Sequence, residues 1–414
     1  MKGEVTIRIY DSERDFEAVK RIWREVGWLT DEKREEEALK YLLDGVRTWV
    51  GELTGSVESV VSVASGSLRY LNDDLPFAGI AGVTTSRIGR RRGLATKLVA
   101  HAISQSAAAG AAVCGLEMFD QGYYDRFGFG TGTYEHSFTF DPAALTVDDV
   151  PRIPIRLGPD DWERVHKSRI ARRRSHGACT IDSPLITRGE LLWAKNGFGL
   201  GYADETGALT HHLWARANDP ESGPYAVEWM AYRTGEELRE LLALVKTWSD
   251  QVRAVRMVEP PGVQLQDFIS RPFRLHQLTR GGKFESQASA VAYWQARILD
   301  LQTCLAHTHL GGKEIRFNLS LTDPIADYLP PDAPWRGIGG EYVVRFGLES
   351  SAIPGIEESL PTLHASVGAF TRLWLGVLPA SGLAISDNLA GPGELIAALD
   401  ELLRLPTPHF DWDF

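Results

Sequence analysis

A short basic turn is the part of the sequence most able to do chemistry. The stretch GVTTSRIGRRRGLATKL, residues 82–98, is typical of a strand that enters a turn and then a helix. The first turn of a helix presents unpaired N–H groups and the positive end of its dipole, so it binds phosphate. Arg90, Arg91 and Arg92 add positive charge, and Gly93 removes a side chain where a phosphate must approach the backbone. The pattern predicts a phosphate site; a solvated arginine cluster at a helix end is the alternative.

A tyrosine-rich segment, GYYDRFGFG at residues 122–130, follows the next predicted strand. A phenol has a pKa of about 10, which lets it act as a general acid. Tyr124 is the candidate for that role. The alternative is a packed aromatic helix end, for which Tyr123 is the better core residue.

These two segments together resemble the GCN5-related N-acetyltransferases (GNATs). Arg90-x-x-Gly93-x-Ala95 matches their R/Q-x-x-G-x-G/A turn, and YYDRFGFG matches their Tyr-x-Arg/Lys-x-Gly-Phe pattern. The resemblance implies that acetyl-CoA is the cosubstrate, that no metal is needed and that Tyr124 is the general acid. It also implies cofactor contacts from Val83, Thr84, Thr85, Arg90, Arg91, Arg92, Gly93, Leu94, Ala95, Thr96, Phe119 and Asp120.

The pattern of strands and helices divides the chain into three segments. Residues 1–150 carry the phosphate turn and predict a catalytic GNAT domain. The pattern restarts after a turn-rich stretch, so residues 151–285 predict a second GNAT-like domain, degenerate because its strand-to-helix junction lacks the turn motif. Residues 286–414 predict an α+β domain, in which AVAYWQARILDLQTCL is a helix. The predicted fold class is α+β, with tandem GNAT folds followed by this third domain.

The order of these segments and the ending PTPHFDWDF resemble the Eis (enhanced intracellular survival) family of acetyltransferases. That family has a third domain similar to sterol carrier proteins, and its C-terminal carboxylate enters the active site as the base. The resemblance implies that the Phe414 carboxylate is the general base, that the protein is a homohexamer and that aminoglycosides are acceptors. Acids and aromatic rings bind cationic amines, so Glu25, Trp28 and Asp413 are predicted acceptor contacts.

Three alternatives remain open at the level of sequence. Under the first two, the acceptor is not an aminoglycoside but a lysine side chain of a protein, or another biosynthetic amine. A reading of a different class is a lipid carrier or scaffold, because the alternating apolar residues of the third segment line either a lipid cavity or a core. Those residues are Phe317, Leu319, Leu321, Val344 and Phe346.

Composition bounds the partners. Asp plus Glu number 55 and Lys plus Arg 44, a net charge of -11, which disfavours nucleic acid and suits a cationic partner. Three cysteines far apart fit a reducing compartment, and neither a secretory leader nor an apolar run long enough for a membrane span is apparent. We expect a cytoplasmic protein. The pairs His211-His212 and His307-x-His309 lack helical metal-ligand spacing, so no metal site is expected.

Overall fold

The computed structural model describes residues 5–118, 122–272 and 280–414. Phe119 and Asp120, two of the predicted cofactor contacts, lie outside the described residues. The strands are β1 (Val5–Ile9), β2 (Arg47–Leu53), β3 (Ser56–Tyr70), β4 (Asp73–Thr85), β5 (Val113–Glu117), β6 (Gly130–Thr131), β7 (Glu135–Phe140), β8 (Ile155–Leu157), β9 (Cys179–Ile181), β10 (Gly197–Ala203), β11 (Leu209–Ala217), β12 (Tyr225–Ala231), β13 (Val255–Val258), β14 (Gln287–Val291), β15 (Trp294–Ile298), β16 (Ile315–Thr322), β17 (Gly340–Phe346), β18 (Ser351–Pro354), β19 (Thr362–Ser366) and β20 (Leu389–Ala390). The α-helices are α1 (Ser12–Glu25), α2 (Lys33–Asp44), α3 (Leu94–Ala108), α4 (Trp162–Ile170), α5 (Pro184–Trp193), α6 (Gly235–Lys246), α7 (Leu301–Ala306), α8 (Val367–Trp374), α9 (Ala380–Ser386) and α10 (Gly393–Leu402).

The first sheet has the strand order β1-β2-β3-β4-β5-β15-β6, with β9 paired to β3. Its pairs are antiparallel except for β4 and β5, which are parallel and joined through the helix α3. A parallel pair needs such a crossover connection. The predicted helix at this place is confirmed, and its apolar residues Leu98, Val99 and Ile103 are completely buried against the sheet.

The second sheet repeats this construction. Its order is β14-β7-β13-β12-β11-β10-β8, and its one parallel pair, β12 with β13, is joined through α6. The predicted restart of the pattern is therefore present as a second mixed sheet with its own apolar core.

The third sheet has the order β18-β17-β16-β19-β20, and the helices α7 to α10 belong to the same part of the chain. The apolar residues predicted to line either a lipid cavity or a core are all at most 4% exposed in one packed cluster with Phe370 and Trp374. Phe346 stacks with Phe370 at 6.4 Å between ring centroids. These residues form a core.

Four strands are exchanged between the predicted segments. Strand β9, from the second segment, pairs with β3 in the first sheet, and β14, from the third segment, pairs with β7 in the second sheet. Strand β7, from the first segment, pairs with β13 and β14 in the second sheet. Strand β15, from the third segment, lies between β5 and β6 in the first sheet. The sheets therefore do not follow the limits predicted at residues 150 and 285.

The helix predicted for AVAYWQARILDLQTCL was wrong. Its residues form the end of β14, all of β15 and only then the short helix α7. Every residue of β15 is buried, because the strand lies inside the sheet and is covered on both faces. Its five residues, WQARI, do alternate apolar and polar side chains as a strand does, and the helix prediction overlooked this alternation. Gln295 and Arg297 are buried all the same, so neither face of the strand is solvated.

Candidate active site

The predicted phosphate turn joins β4 to α3 and leaves the start of the helix open. Gly93 is the N-cap with φ +77°, a conformation that costs glycine little. Among the described residues, no side chain caps this helix, and no acidic residue lies in its first turn. Arg90, Arg91 and Arg92 are exposed around it. The first-turn N–H groups of Leu94, Ala95 and Thr96 and the three cations therefore form a site for an anion.

Strand β4 leads from this turn to a place where the first sheet opens. Its residues 77–80 pair with residues 113–116 of β5, and the pairing stops after Ile80 and Leu116. Beyond that point β4 continues to Thr85, and among the described residues this part pairs with β3 alone. Gly82 has φ +60° beside the register shift in the β3–β4 ladder, which bends the strand. The free edge along Val83 to Thr85 can pair with an extended ligand through the backbone.

The last residues of the chain lie across this opening. Gly79 and Gly115 are register partners on β4 and β5. A Cβ at Gly79 would lie 2.5 Å from a ring carbon of Phe414, and one at Gly115 would lie 2.5 Å from a ring carbon of Phe410. The two glycines make a flat surface on which both rings rest. Phe410 also stacks on Trp294 of β15, with centroids 4.3 Å apart.

Contacts with the second segment hold the same tail. Asp411 accepts two hydrogen bonds from the Arg172 guanidinium, at 2.5 and 3.0 Å. Trp412 is 1% exposed, and the Arg169 guanidinium lies 3.8 Å from its ring. Arg169 itself pairs with Glu190. Bidentate and buried ion pairs of this kind fix a geometry, so the tail is held in one position.

The tail borders a cavity of about 870 Å³ between the first and second sheets. The carboxyl groups that line it include Glu117 at the end of β5, Glu135 at the start of β7, and Asp413. Glu135 is 8% exposed, and Oε1 atoms of both Glu117 and Glu135 have no hydrogen-bond partner among the described residues. The Tyr293 hydroxyl donates a 3.2 Å hydrogen bond to Asp413 Oδ1.

Burial and neighbouring negative charge raise the pKa of both Glu117 and Glu135. Burial raises the pKa of Glu135 to about 8, and the charge on Asp413 adds to the effect. Burial, followed by Asp413, raises the pKa of Glu117 well above its usual value. Two poorly paired carboxyl groups with raised pKa ionise more readily once a cation occupies the cavity.

The cavity gathers some of the predicted site residues and not others. Trp28, Asp413 and Phe414 line it. Glu25 is not among its lining residues; its Oε2 accepts a 2.6 Å hydrogen bond from the Arg87 N–H at the start of the basic turn. Tyr124 also lies outside the lining and is 4% exposed, with its ring 4.9 Å from that of Tyr123. It shares a hydrophobic cluster with residues of α3 and β4.

Sequence reasoning missed Glu117, Glu135 and Tyr293. Glu117 ends β5, Glu135 begins β7 and Tyr293 lies in the short connection between β14 and β15, so they meet only because strands change sheets. The paired glycines at positions 79 and 115 were an available signal, since a glycine inside a strand marks a close approach of another group. Among the described residues, no group of three or more His, Cys, Asp or Glu side chains is placed to hold a metal ion.

The second sheet offers no equivalent anion site. The first turn of α6 is capped by Thr234, whose hydroxyl accepts a hydrogen bond from the Glu237 N–H. Glu236 and Glu237 occupy that turn and repel anions. In the described chain no helix is long and apolar enough to cross a membrane.

Comparison with known proteins agrees with the geometry of the first sheet. Residues 7–132 match the family model of the acetyltransferase (GNAT) domain. No curated protein sequence matches the chain significantly.

Solved structures resemble the chain along its whole length. They include a probable N-acyltransferase from Enterococcus faecalis V583, 18% identical over 99% of this chain and 100% of that one, with a TM-score of 0.80. A GCN5-related N-acetyltransferase from Kribbella flavida is 19% identical over 100% and 99% of the two chains, with a TM-score of 0.75. Eis1 from Mycobacterium abscessus is 15% identical over 99% and 100%, with a TM-score of 0.74. Identities this low show a shared fold. The chain has the three-sheet fold of these proteins, and its first part, residues 7–132, is a GNAT acetyltransferase domain.

Proposed function

We propose that the protein transfers the acetyl group of acetyl-CoA to an amino group of a cationic small molecule bound in the cavity. One observation carries the proposal: a single strand, β4, joins the anion site to the cavity. Its residues Ala81 and Gly82 line the cavity, and its end at Thr85 enters the basic turn. A GNAT domain supplies the reaction class, and the acidic lining supplies the charge preference.

Different groups of the chain bind different parts of the cosubstrate along β4. The first-turn N–H groups of α3, with Arg90 to Arg92, bind the diphosphate, and the backbone of Val83 to Thr85 pairs with the extended arm of the cosubstrate. The cosubstrate supplies an activated acetyl thioester. Its carbonyl accepts hydrogen bonds from the strand, which favours the charge that develops on the oxygen during attack.

Proton transfers complete the exchange. The carboxylate of Phe414, the last residue of this chain, takes a proton from the acceptor ammonium. The nitrogen then attacks, so a C–N bond forms and the C–S bond breaks. Tyr124 gives a proton to the departing sulfur. Phe414 borders the cavity directly; Tyr124 lies in the packed cluster beside β4, and its role follows from the motif that it occupies.

Aminoglycosides are the first acceptors to test, because Glu117, Glu135 and Asp413 offer several acids to a polycation. Lysine side chains of proteins and other biosynthetic amines are the alternatives. We do not propose a lipid carrier, because the apolar residues that favoured one are packed in the core of the third sheet. A homohexamer and a cytoplasmic location stay predictions.

Steady-state acetyl transfer to a panel of aminoglycosides, lysine peptides and simple amines tests the proposal, with acetyl-CoA binding measured in parallel by calorimetry. We expect turnover with at least one class and saturable acetyl-CoA binding. Absence of acetyl-CoA binding would contradict the proposal.

The role of the tail has its own test. A Gly79→Ala variant places a methyl group where the Phe414 ring lies, and a chain with one glycine added after Phe414 moves the carboxylate. We expect kcat to fall by about tenfold or more in both, with acetyl-CoA binding retained. Gly235→Ala is the control, since a Cβ there meets nothing within 4 Å. Full activity of both tail variants would remove Phe414 from the mechanism.

A further inference from the structure

The second sheet has an opening that is built like the one at the candidate active site. Its parallel strands β12 and β13 pair through Val227 and Met257, and the pairing stops there. Residues 228–231 of β12 then run on without β13, as residues 81–85 of β4 run on without β5. We call the opening between residues 228–231 and Val258 the second slot.

The second slot and the first opening face the same cavity. The lining includes Ala81, Gly82 and Glu117 from the first sheet and Trp229, Met230 and Val258 from the second. Val258 pairs with Ser137 of β7, two residues along the strand from Glu135. The Arg169 guanidinium lies 4.2 Å from the Trp229 ring and 3.8 Å from the Trp412 ring. The second slot is therefore adjacent to the acids and to the tail.

The two openings differ in chemistry at the equivalent strand end. Glu117 is the last residue of β5, and Val258 is the last residue of β13, 44% exposed. After Val258 the wall of the cavity continues with Pro260, Pro261 and Val263. The exposed side chain of Val258, together with these prolines, forms an apolar surface on the cavity wall.

The acids on this wall are already paired. Glu259 accepts a 2.7 Å hydrogen bond from the Leu265 N–H and lies 3.6 Å from His136. Glu228 accepts a 2.7 Å hydrogen bond from Arg216. Glu117 and Glu135 nearby each keep a carboxyl oxygen without a partner among the described residues, so the cavity combines an acidic part with an apolar wall.

The second slot cannot take over the role of the first. At the start of α6, which follows β12, Thr234 accepts a hydrogen bond from a first-turn N–H group. Glu236 and Glu237 in the same turn repel the anionic groups of a diphosphate. A nucleotide cosubstrate is therefore disfavoured there, and the apolar wall is available to another ligand.

We propose that the second slot binds an apolar arm of the acceptor. The acceptor is then an amphipathic primary amine, whose amino group lies among Glu117, Glu135 and Asp413 and whose hydrocarbon or aromatic body lies against Trp229, Val258 and Pro260. This inference rests on the proposed function for the fate of the amino group, but not for the binding of the body.

Matched amines of increasing apolar length test the inference on the full-length protein. We compare n-propylamine, n-hexylamine, n-octylamine and phenethylamine by calorimetric binding and by steady-state acetylation. Each added methylene that becomes buried should lower KM and the dissociation constant by about fourfold. The kcat should change little, because the amino group stays in the same place.

Val258→Glu is the decisive variant, since it copies the acidic strand end of the first sheet into the second slot. We expect it to weaken n-octylamine binding by about tenfold or more while leaving n-propylamine within twofold. Ile353→Glu is the control: Ile353 is a β-branched residue, 63% exposed, on an edge strand of the third sheet. Its variant should bind both amines as the parent does.

The outcomes separate this inference from the proposed function. Binding of n-octylamine that depends on Val258, but without acetyl transfer, would support the second slot and overturn the acetyltransferase proposal. Acetylation with no gain from n-propylamine to n-octylamine, or equal effects of Val258→Glu on both amines, would overturn the second slot and leave the proposed function standing.

Discussion

Glu117, Glu135 and Asp413 share the cavity at the residue scale. Of the arginines that also line it, Arg169 pairs with Glu190, Arg172 with Asp411 and Arg216 with Glu228. A buried acid without a partner holds its proton, and it loses that proton when a cation arrives. The charge of the site therefore depends on pH and on its occupant. None of this follows from the sequence, where Glu117 and Glu135 look like ordinary strand-end residues.

The pH dependence of acceptor use should reveal Glu135. With a pKa raised to about 8 by burial and Asp413, this carboxyl group is neutral at pH 6 and ionised at pH 9. Only the ionised form attracts an ammonium group, so kcat/KM for a strongly basic amine should rise as pH increases through about 8. Glu135→Gln should lose that step. The measurement is the ratio of the two pH–rate profiles from pH 6 to 9.5, which cancels the titration of the amine.

An exposed acid gives the control for this experiment. Glu401→Gln changes a carboxyl group on the surface of α10 and should keep the parent profile. A step near pH 8 that persists in Glu135→Gln would assign it to another group.

Strand β4, the basic turn and α3 show at the element scale what a sequence can predict. The turn was predictable because its motif is local: Gly93 and three arginines act within one stretch. The place of β15 inside the first sheet was not predictable, because its partner strands β5 and β6 are far away in sequence. A local motif specifies the conformation of its own backbone. The residue pattern of a strand inside a sheet depends instead on the strands that it packs against. The role of Tyr124 rests on a local motif too, and the structure adds only its packing.

A left-handed glycine gives the prediction for this element. In Gly93→Ala the alanine must adopt φ +77°, at a cost of roughly 1 kcal/mol. Its methyl group also lies where a diphosphate approaches the backbone. We expect the KM for acetyl-CoA to rise by about tenfold with little change in kcat. Gly207→Ala is a matched control, since its φ is +84° and a Cβ there also meets nothing within 4 Å. Equal kinetics for both variants would show that the turn does not bind the cosubstrate.

The exchanged strands tie the three sheets together at the scale of the whole molecule. Arg297 on β15 donates to the Phe127 carbonyl and pairs at 2.6 Å with Asp323, which follows β16. Both side chains are at most 1% exposed. Asp323 also accepts a hydrogen bond from the Ile338 N–H. The first and third sheets therefore share one buried ion pair.

Breaking this pair should cost far more than breaking a surface pair. Asp323→Ala leaves the Arg297 charge buried and should lower the free energy of unfolding by roughly 3–5 kcal/mol. Glu357→Ala removes the exposed pair with Arg316 and should cost less than about 1 kcal/mol. Urea unfolding followed by tryptophan fluorescence measures both, and similar shifts in midpoint would contradict the structural role of Arg297.

The place of β15 in the first sheet also sets an order of events during protein synthesis. In the described part of the chain β6 pairs with β15 alone, and β15 is also the outer neighbour of β5. A ribosome must therefore release nearly three quarters of the chain before the N-terminal sheet gains its missing strand. Until then one edge of β5 has unpaired backbone N–H and C=O groups, which can pair with other chains. Nascent N-terminal fragments of this protein should therefore depend on chaperones more than the full chain does.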